Sequence, residues 1–401
     1  MKIALLSEKY TPDIGGLAIS TERLARLLST AGHEVRLFAP TLNQPTTEKR
    51  NIPSSGVSVT RFGASKRVDD TLVDWFELIV EEHKREPFDI LHAYFLTQAG
   101  FVAAYAGKYL NIPSVVSIRG NDIERTPFDP SRFSHVMYAL QNASAVTTNA
   151  IELAKKAKAF IDREVRLIPN GIDTECFKPM ERNEVLAETL GLRRNVTLSE
   201  AKGLEQRGRD SSPSTKAQSD IAPVIGFVGE LRKKKGLEPL LSAYAQIGRQ
   251  RPITLLIVGE VRQGDDRKLL EEFQSANPQL PITVTGYIPH SDLPSYYSLI
   301  DIFVHPSLRD GMPNAILEAM ACEKAVIATA VGGTKDILED GKNGAIVNVN
   351  DANMFAQKIT DLLDDPKKRE SLGKNARESI ASKFTLEKEL EANLYVYRTL
   401  I

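Results

Sequence analysis

The feature that most limits how this chain can fold is a repeated alternation. Short β-rich runs are followed by stretches with helical spacing, first over about 170 residues and then again further on. "KIALLS", "EVRLFAP", "VSVTRFG", "DILHAY", "PSVVSIRG" and "ASAVTTN" read as strands, with helical patterns over about 18–31, 69–85, 98–110 and 131–141. Strand–helix alternation of this kind predicts parallel sheets covered on both faces. The pattern breaks at "RLIPNGIDTECFKP", residues 166–179, where two prolines and an Asn-Gly pair mark a turn-rich connection. A second series follows, with strands at "VIGFVGE", "ITLLIVGE", "ITVTGYI", "IDIFVHPS", "KAVIATAV" and "GAIVNV". Its helices are predicted near 266–276, 291–299, 313–321, 333–339 and 353–363. The expected division is a first α/β domain over 1–170, a linker at 171–182 and a second domain over 183–383. A final helix is expected over 384–401. Residues 193–220 contain no aromatic and many Ser and Thr, so they cannot bury enough apolar surface to offset ordering. They are expected to be a mobile insertion.

Composition removes several function classes. The net charge of −1 and the single dense basic run, "LRKKKG" at 231–236, argue against a nucleic-acid partner. Two cysteines, Cys176 and Cys322, form neither a disulfide framework nor a metal cluster. No apolar run approaches the roughly 20 residues of a membrane span. The five-residue apolar run in "MKIALLSEKY" is too short for a signal-peptide core. The expected location is cytoplasmic, with peripheral membrane contact left open. G-x-G-x-x-G, the P-loop pattern, the G-x-S-x-G elbow, Asp-x-Asp and metal-spaced His/Cys clusters are all missing. The expected chemistry uses no metal and no cofactor, and the cleft between two α/β domains becomes the default site.

Four motifs point to a ligand. In "DIGGLAIS", Gly15 and Gly16 lie between a strand and a helix, where free N–H groups favour an anion. A plain turn explains them equally well. "VGELRKKKGL" places Arg232, Lys233, Lys234 and Lys235 at the carboxyl end of a predicted strand, where they read equally as a seat for phosphate or as a solvated basic loop. "PSLRDGMPNAILEAMA" sets Asp310 in a loop and Glu318 eight residues on, inside a helix for which Pro313 is the predicted first residue. A capping box needs a spacing of three, so capping does not account for the pair. Carboxylates accept from neighbouring hydroxyls, such as those of a sugar or a ribose. "VGGTKDI" again opens a helix with Gly-Gly. A phosphate seat with two carboxylates for polyols is the inventory for a nucleotide-sugar.

Ten ordered segments carry a resemblance over nearly the whole chain outside 193–220. They include "YTPDIGG", "FDILHAYF", "RGND", "LIPNGIDTECF", "GFVGELRKKKGLEPLL", "HPSLRDGMPNAILEAMA" and "VGGTKDIL". The chain resembles the family 4 retaining glycosyltransferases of the GT-B fold, also called glycosyl transferases group 1. The resemblance implies two Rossmann-like domains facing each other across a cleft, with the last helix crossing back to the first. It implies a hexosyl transfer from a nucleoside-diphosphate sugar to an acceptor hydroxyl, with retention. By resemblance, Asp310 contacts the donor sugar and Glu318 the ribose. Backbone at Gly311, Met312, Pro313 and Asn314 faces sugar and diphosphate. Lys235 holds phosphate, Gly16 lies near it, and backbone at Ile288 reads the base. Three departures stand out. Glu230 occupies the family's phosphate Arg position, with Arg232 the expected substitute. Asp310 replaces the usual Glu. Tyr94 and Arg119 stand where many relatives carry His. The acceptor-side candidates are His92, Tyr94, Arg119 and Asp122, although His92, at a strand end, is equally readable as packed. The acceptor is open among lipid, polysaccharide and small-molecule classes. Rival readings are a sugar-nucleotide epimerase or phosphorylase of the same fold, or an inactive nucleotide-sugar-binding scaffold.

Overall fold

The computed structural model describes all residues except 12, 14, 47, 55 and 193–221. The expected insertion at 193–220 therefore lies outside the described residues. The chain divides into two units. The first holds Met1–Ile172, Asp310–Asn314 and Lys383–Ile401; the second holds Asp173–Arg309 and Ala315–Ser382.

In the first unit, eight strands form one sheet. They are β1 (Lys2–Leu6), β2 (Glu34–Thr41), β3 (Lys49–Ser54), β4 (Val57–Gly63), β5 (Ile90–Tyr94), β6 (Ser114–Ile118), β7 (Ala145–Thr148) and β8 (Val165–Leu167). Their order is β3-β4-β2-β1-β5-β6-β7-β8. All neighbours are parallel except β3, which runs antiparallel to β4 at the edge. β3, "KRNIPS", was not predicted from sequence. Its charges and Pro53 hide the alternation of a strand, and proline is tolerated there because the strand is an edge. The prediction of a turn-rich connection from 166 is also corrected, since Arg166 and Leu167 complete β8.

Helices α1 (Gly16–Thr30), α2 (Val68–Arg85), α3 (Gln98–Leu110) and α4 (Pro130–Asn142) cover this sheet. One apolar layer joins Trp75, Leu78 and Ile79 of α2 to Ala99, Val102 and Ala103 of α3 beneath Leu91 and Val116. The other face carries Leu24 and Leu28 of α1 against Ile3, Leu5 and Val115. The last helix (Leu386–Arg398) joins this second layer through Leu394, Val396 and Tyr397.

Glu389 on that last helix fixes its docking. Its buried carboxylate takes Arg23 of α1 in two bonds, at 2.8 and 3.1 Å. It also accepts the Gly171 N–H at 2.9 Å, where Ile172 pairs with Thr385. Burying a charge without such partners is prohibitively costly, so the three segments have to assemble together.

The second unit has six parallel strands: β9 (Val224–Val228), β10 (Thr254–Val258), β11 (Ile282–Val284), β12 (Ile302–His305), β13 (Ala325–Thr329) and β14 (Ala345–Val347). Their order is β11-β10-β9-β12-β13-β14. Its helices include α5 (Leu237–Gly248), α6 (Asp265–Ala276), α7 (Asn314–Ala321), α8 (Ala352–Asp364) and α9 (Pro366–Lys383). In chain order the last helix, Leu386–Arg398, is α10. Helix α7 begins at Asn314, so Pro313 sits one residue ahead of it rather than at its first position. The 18-residue α9 was missed from sequence because its buried stripe is thin: Leu372, Gly373, Ala376 and Ile380. Among the described residues, no helix is long and apolar enough to cross a membrane.

Replacing Glu389 by Ala removes the two Arg23 bonds and the Gly171 bond from a buried position, and should cost about 3–5 kcal/mol of stability. Glu389→Gln, which keeps one acceptor oxygen, should cost less. Urea unfolding of both variants checks this ordering.

Candidate functional site

The loops that leave the carboxyl ends of parallel strands hold nearly all the candidate residues, in each unit separately. In the first unit, β5 delivers His92 and Tyr94, and the loop after β6 delivers Arg119 and Asp122. His92 is fully buried. Its Nδ1 lies 2.5 Å from the Tyr397 hydroxyl of α10, and its Nε2 lies 2.7 Å from Ser117 Oγ. Ser117 continues to Thr147 at 2.6 Å. Burial, and then the positive charge of Arg119, push His92 down to about 3, so the ring is neutral. Both ring nitrogens are therefore engaged inside the fold, by Tyr397 and by Ser117.

Tyr94 is likewise fully buried. Its hydroxyl donates to Glu389 at 3.5 Å, and the Arg119 guanidinium lies 3.7 Å from its ring centre. Burial pushes Tyr94 up to about 12. Asp122 is buried too, and its carboxylate accepts the N–H groups of Leu96 (3.1 Å), Arg119 (3.0 and 3.1 Å) and Gly120 (2.7 Å). It ties the loop after β5 to the loop after β6. Burial raises it to about 6, against the pull of those N–H donors. Between Tyr94 and Leu96, Phe95 is held at a φ of 138°, a strained backbone that the Leu96–Asp122 bond helps maintain. Tyr94 and Asp122 are thus both buried and hydrogen-bonded within the first unit. Arg119, another acceptor-side candidate, is half-exposed and donates to Asn170 at 3.0 Å.

Sequence reading missed Glu8, which follows β1 at the same sheet end. Its carboxylate takes the Thr97 hydroxyl and the Gln98 N–H, the latter at 2.7 Å, and so caps α3. Its place directly after a strand was the available signal. Gly16 is the first residue of α1, behind Gly15 at φ 133°.

The turn Asp310–Asn314 groups with the first unit. Asp310 accepts the Gly311 N–H at 3.1 Å. The Met312 sulfur accepts the Asn170 N–H at 3.1 Å, and Asn314 accepts from the Asn170 side chain at 2.7 Å. Pro313 is buried between them. A Cβ on Gly311 would lie 2.4 Å from the Arg119 carbonyl oxygen, so no other residue fits without a shift of backbone.

In the second unit, β9 leads into Arg232 and a tight helical turn, Lys233–Lys235. Gly236 closes the turn at φ 83°, where a Cβ would meet the Pro306 oxygen at 2.0 Å. The Leu308 N–H donates to Lys234 O at 3.0 Å. The basic turn is therefore clamped to the segment that follows β12. Lys235 is half-buried there. Arg232 pairs with Glu230 at 3.1 Å, so the expected substitute for the phosphate Arg carries its own counter-charge. Ile288 is half-buried in the segment after β11, beside an exposed Tyr287.

Glu318 is the best-built feature of this unit. It lies on the second turn of α7 and is only 4% exposed. One oxygen takes the Tyr297 hydroxyl at 2.8 Å and the other faces His290 Nε2 at 2.9 Å. Neither partner was anticipated from sequence. Among the described residues, no group of three or more His, Cys, Asp or Glu is arranged to hold a metal ion.

Comparison with known proteins matches both units. Residues 14–176 match the family model described as Glycosyltransferase Family 4, and residues 210–379 match that of Glycosyl transferases group 1. The chain belongs to the family 4 glycosyltransferases and has the GT-B fold. It is 26% identical to an uncharacterised glycosyltransferase of Methanocaldococcus jannaschii, over 99% of this chain and 98% of that one. Among solved structures it resembles sucrose-phosphate synthase from Thermosynechococcus elongatus (TM-score 0.79, 24% identity, 100% and 98% coverage). It also resembles Anabaena HepE in complex with UDP-glucose (TM-score 0.73, 20% identity, all of both chains).

The depressed His92 has a consequence for stability. Its folded value is about 3 against an ordinary 6.5, so the unfolded chain binds the extra proton. Its contribution is complete above pH 6.5 and is lost as pH falls toward 3, by about 1.4 kcal/mol per pH unit. Asp122, raised above 3.8 to about 6, works in the opposite sense across pH 4–6. Denaturant unfolding of wild type and His92→Gln at pH 7, 6, 5 and 4 isolates the histidine. The gap between the two should narrow steadily as pH falls.

Proposed function

We propose that this glycosyltransferase moves a hexosyl unit from a nucleoside-diphosphate sugar to an acceptor hydroxyl with retention, using neither metal nor cofactor. The observation that carries the reading is Glu318: a carboxylate almost removed from water and held by two side chains, on the second turn of a helix preceded by a glycine turn. Such a group suits the paired hydroxyls of a ribose. HepE, of the same fold, holds UDP-glucose, which supports a donor of this class.

In this reading Asp310 accepts from sugar hydroxyls, the Gly311–Asn314 backbone faces sugar and diphosphate, and Ile288 backbone meets the base. Lys235 and Arg232 bind the diphosphate. The bond between the sugar's anomeric carbon and the phosphate oxygen breaks, and charge develops on that oxygen, where Lys235 stabilises it. The acceptor oxygen bonds to the anomeric carbon from the same face and passes its proton to the departing phosphate. Atoms and charge balance without an enzyme nucleophile. Arg119 is the acceptor-side contact.

Incubating purified protein with the glucose diphosphates of uridine, guanosine and adenosine, without acceptor, tests the reading. Slow release of glucose and nucleoside diphosphate is expected. Lys235→Ala should lower it about 10²–10³-fold, the usual effect of deleting one stabiliser of a developing oxyanion. An isomerised sugar nucleotide would mark an epimerase instead, and no binding or turnover with any donor would overturn the proposal. Proton NMR of the product's anomeric signal reports retention or inversion.

The Arg232–Glu230 pair generates a second expectation. Glu230 is exposed, so the pair is worth at most about 1 kcal/mol. Glu230→Gln frees Arg232 for phosphate and should lower the donor KM by about 2–5-fold. An unchanged or raised KM would place Arg232 away from the diphosphate.

A further inference from the structure

We propose that His290 and Tyr297 are positioning residues that hold Glu318 in the orientation that discriminates a ribose from a deoxygenated sugar. This inference rests on the reading of Glu318 as the ribose contact. Glu318 accepts on both oxygens, from the Tyr297 hydroxyl (2.8 Å) and from His290 Nε2 (2.9 Å). A carboxylate only accepts, so His290 carries its proton on Nε2 toward Glu318. Burial and the neighbouring charge of Glu318 hold Tyr297 well above the usual tyrosine range, so its hydroxyl keeps the proton it donates.

Two oxygens offer about four acceptor sites, and these bonds use two. Two remain, the number that the 2′- and 3′-hydroxyls require. A free carboxylate on a helix rotates about its terminal bond, whose torsion is broad. Two donors from different directions remove that freedom before the ligand arrives, which lowers the entropy cost of binding. The supports are themselves packed. Phe177 lies 5.1 Å from the His290 ring and 6.0 Å from Tyr297, ring centre to ring centre. The Phe177 carbonyl is pinned by Arg377 at 2.7 Å, and the same guanidinium holds the carbonyl of Ala321 at the end of α7 at 2.9 Å. The helix that carries Glu318 and the segment that backs its supports are thus joined by one cation.

The test measures binding of uridine, guanosine and adenosine diphosphates, each beside its 2′,3′-dideoxy counterpart, by titration calorimetry. Wild type should prefer the ribose form of at least one pair, and Glu318→Gln and Glu318→Ala should lose that preference. His290→Ala and Tyr297→Phe should weaken the ribose form by about tenfold, the effect of one lost bond to a charged group, and leave the dideoxy form unchanged. His290→Gln, which presents an N–H near the same place, should restore most of the preference. Equal weakening of both forms would make the two residues merely structural and overturn the proposal. So would a full preference in His290→Ala and Tyr297→Phe when the Glu318 variants have lost theirs. A wild type without preference, or Glu318 variants that keep it, would overturn the ribose reading itself.

Discussion

Parallel strands cannot be joined by a tight turn, and the rest of this structure depends on that constraint. Each connection must return the chain to the opposite end of the sheet, which places a helix on one face and a loop at the carboxyl end of every strand. Candidate residues far apart in sequence therefore gather at one end of each sheet. His92, Tyr94, Arg119, Asp122 and Glu8 gather in the first unit; Arg232, Lys235, Ile288 and the approach to Glu318 gather in the second.

Gathering polar groups at a sheet end creates a second demand, because those that become buried need partners. The first unit meets it with a continuous network. His92 is shared by Tyr397 and Ser117, Tyr94 reaches Glu389, Glu389 holds Arg23, and Asp122 satisfies three backbone N–H groups. Groups that look reactive in a sequence are consumed in holding α10 and two loops in place. Glu318 uses the same chemistry for another end. Its two donors orient a buried carboxylate, the group proposed above to meet the ribose.

The motifs around Glu318 and the basic turn were legible in the sequence because their signals are local. The spacing of Asp310 and Glu318, the glycine turn between them, and the basic turn closed by Gly236 all lie within short segments. The departure at Glu230 was visible too, but its consequence, the pair with Arg232, is a matter of side-chain geometry. The first unit was less legible. His92, Tyr94 and Asp122 were acceptor-side candidates from their place in or after strands and from the resemblance, and neither reveals what packs on top.

The sequence by itself determined two α/β series, the loops that hold the candidate residues and the family, because strand and helix periodicity and turn glycines act over a few residues. The tertiary structure alone decided which polar groups remain available. His92 meets Tyr397 across 305 residues of chain, and Arg23 meets Glu389 across 366. Burial and pairing at those separations are set by how the elements pack, and no local pattern encodes them.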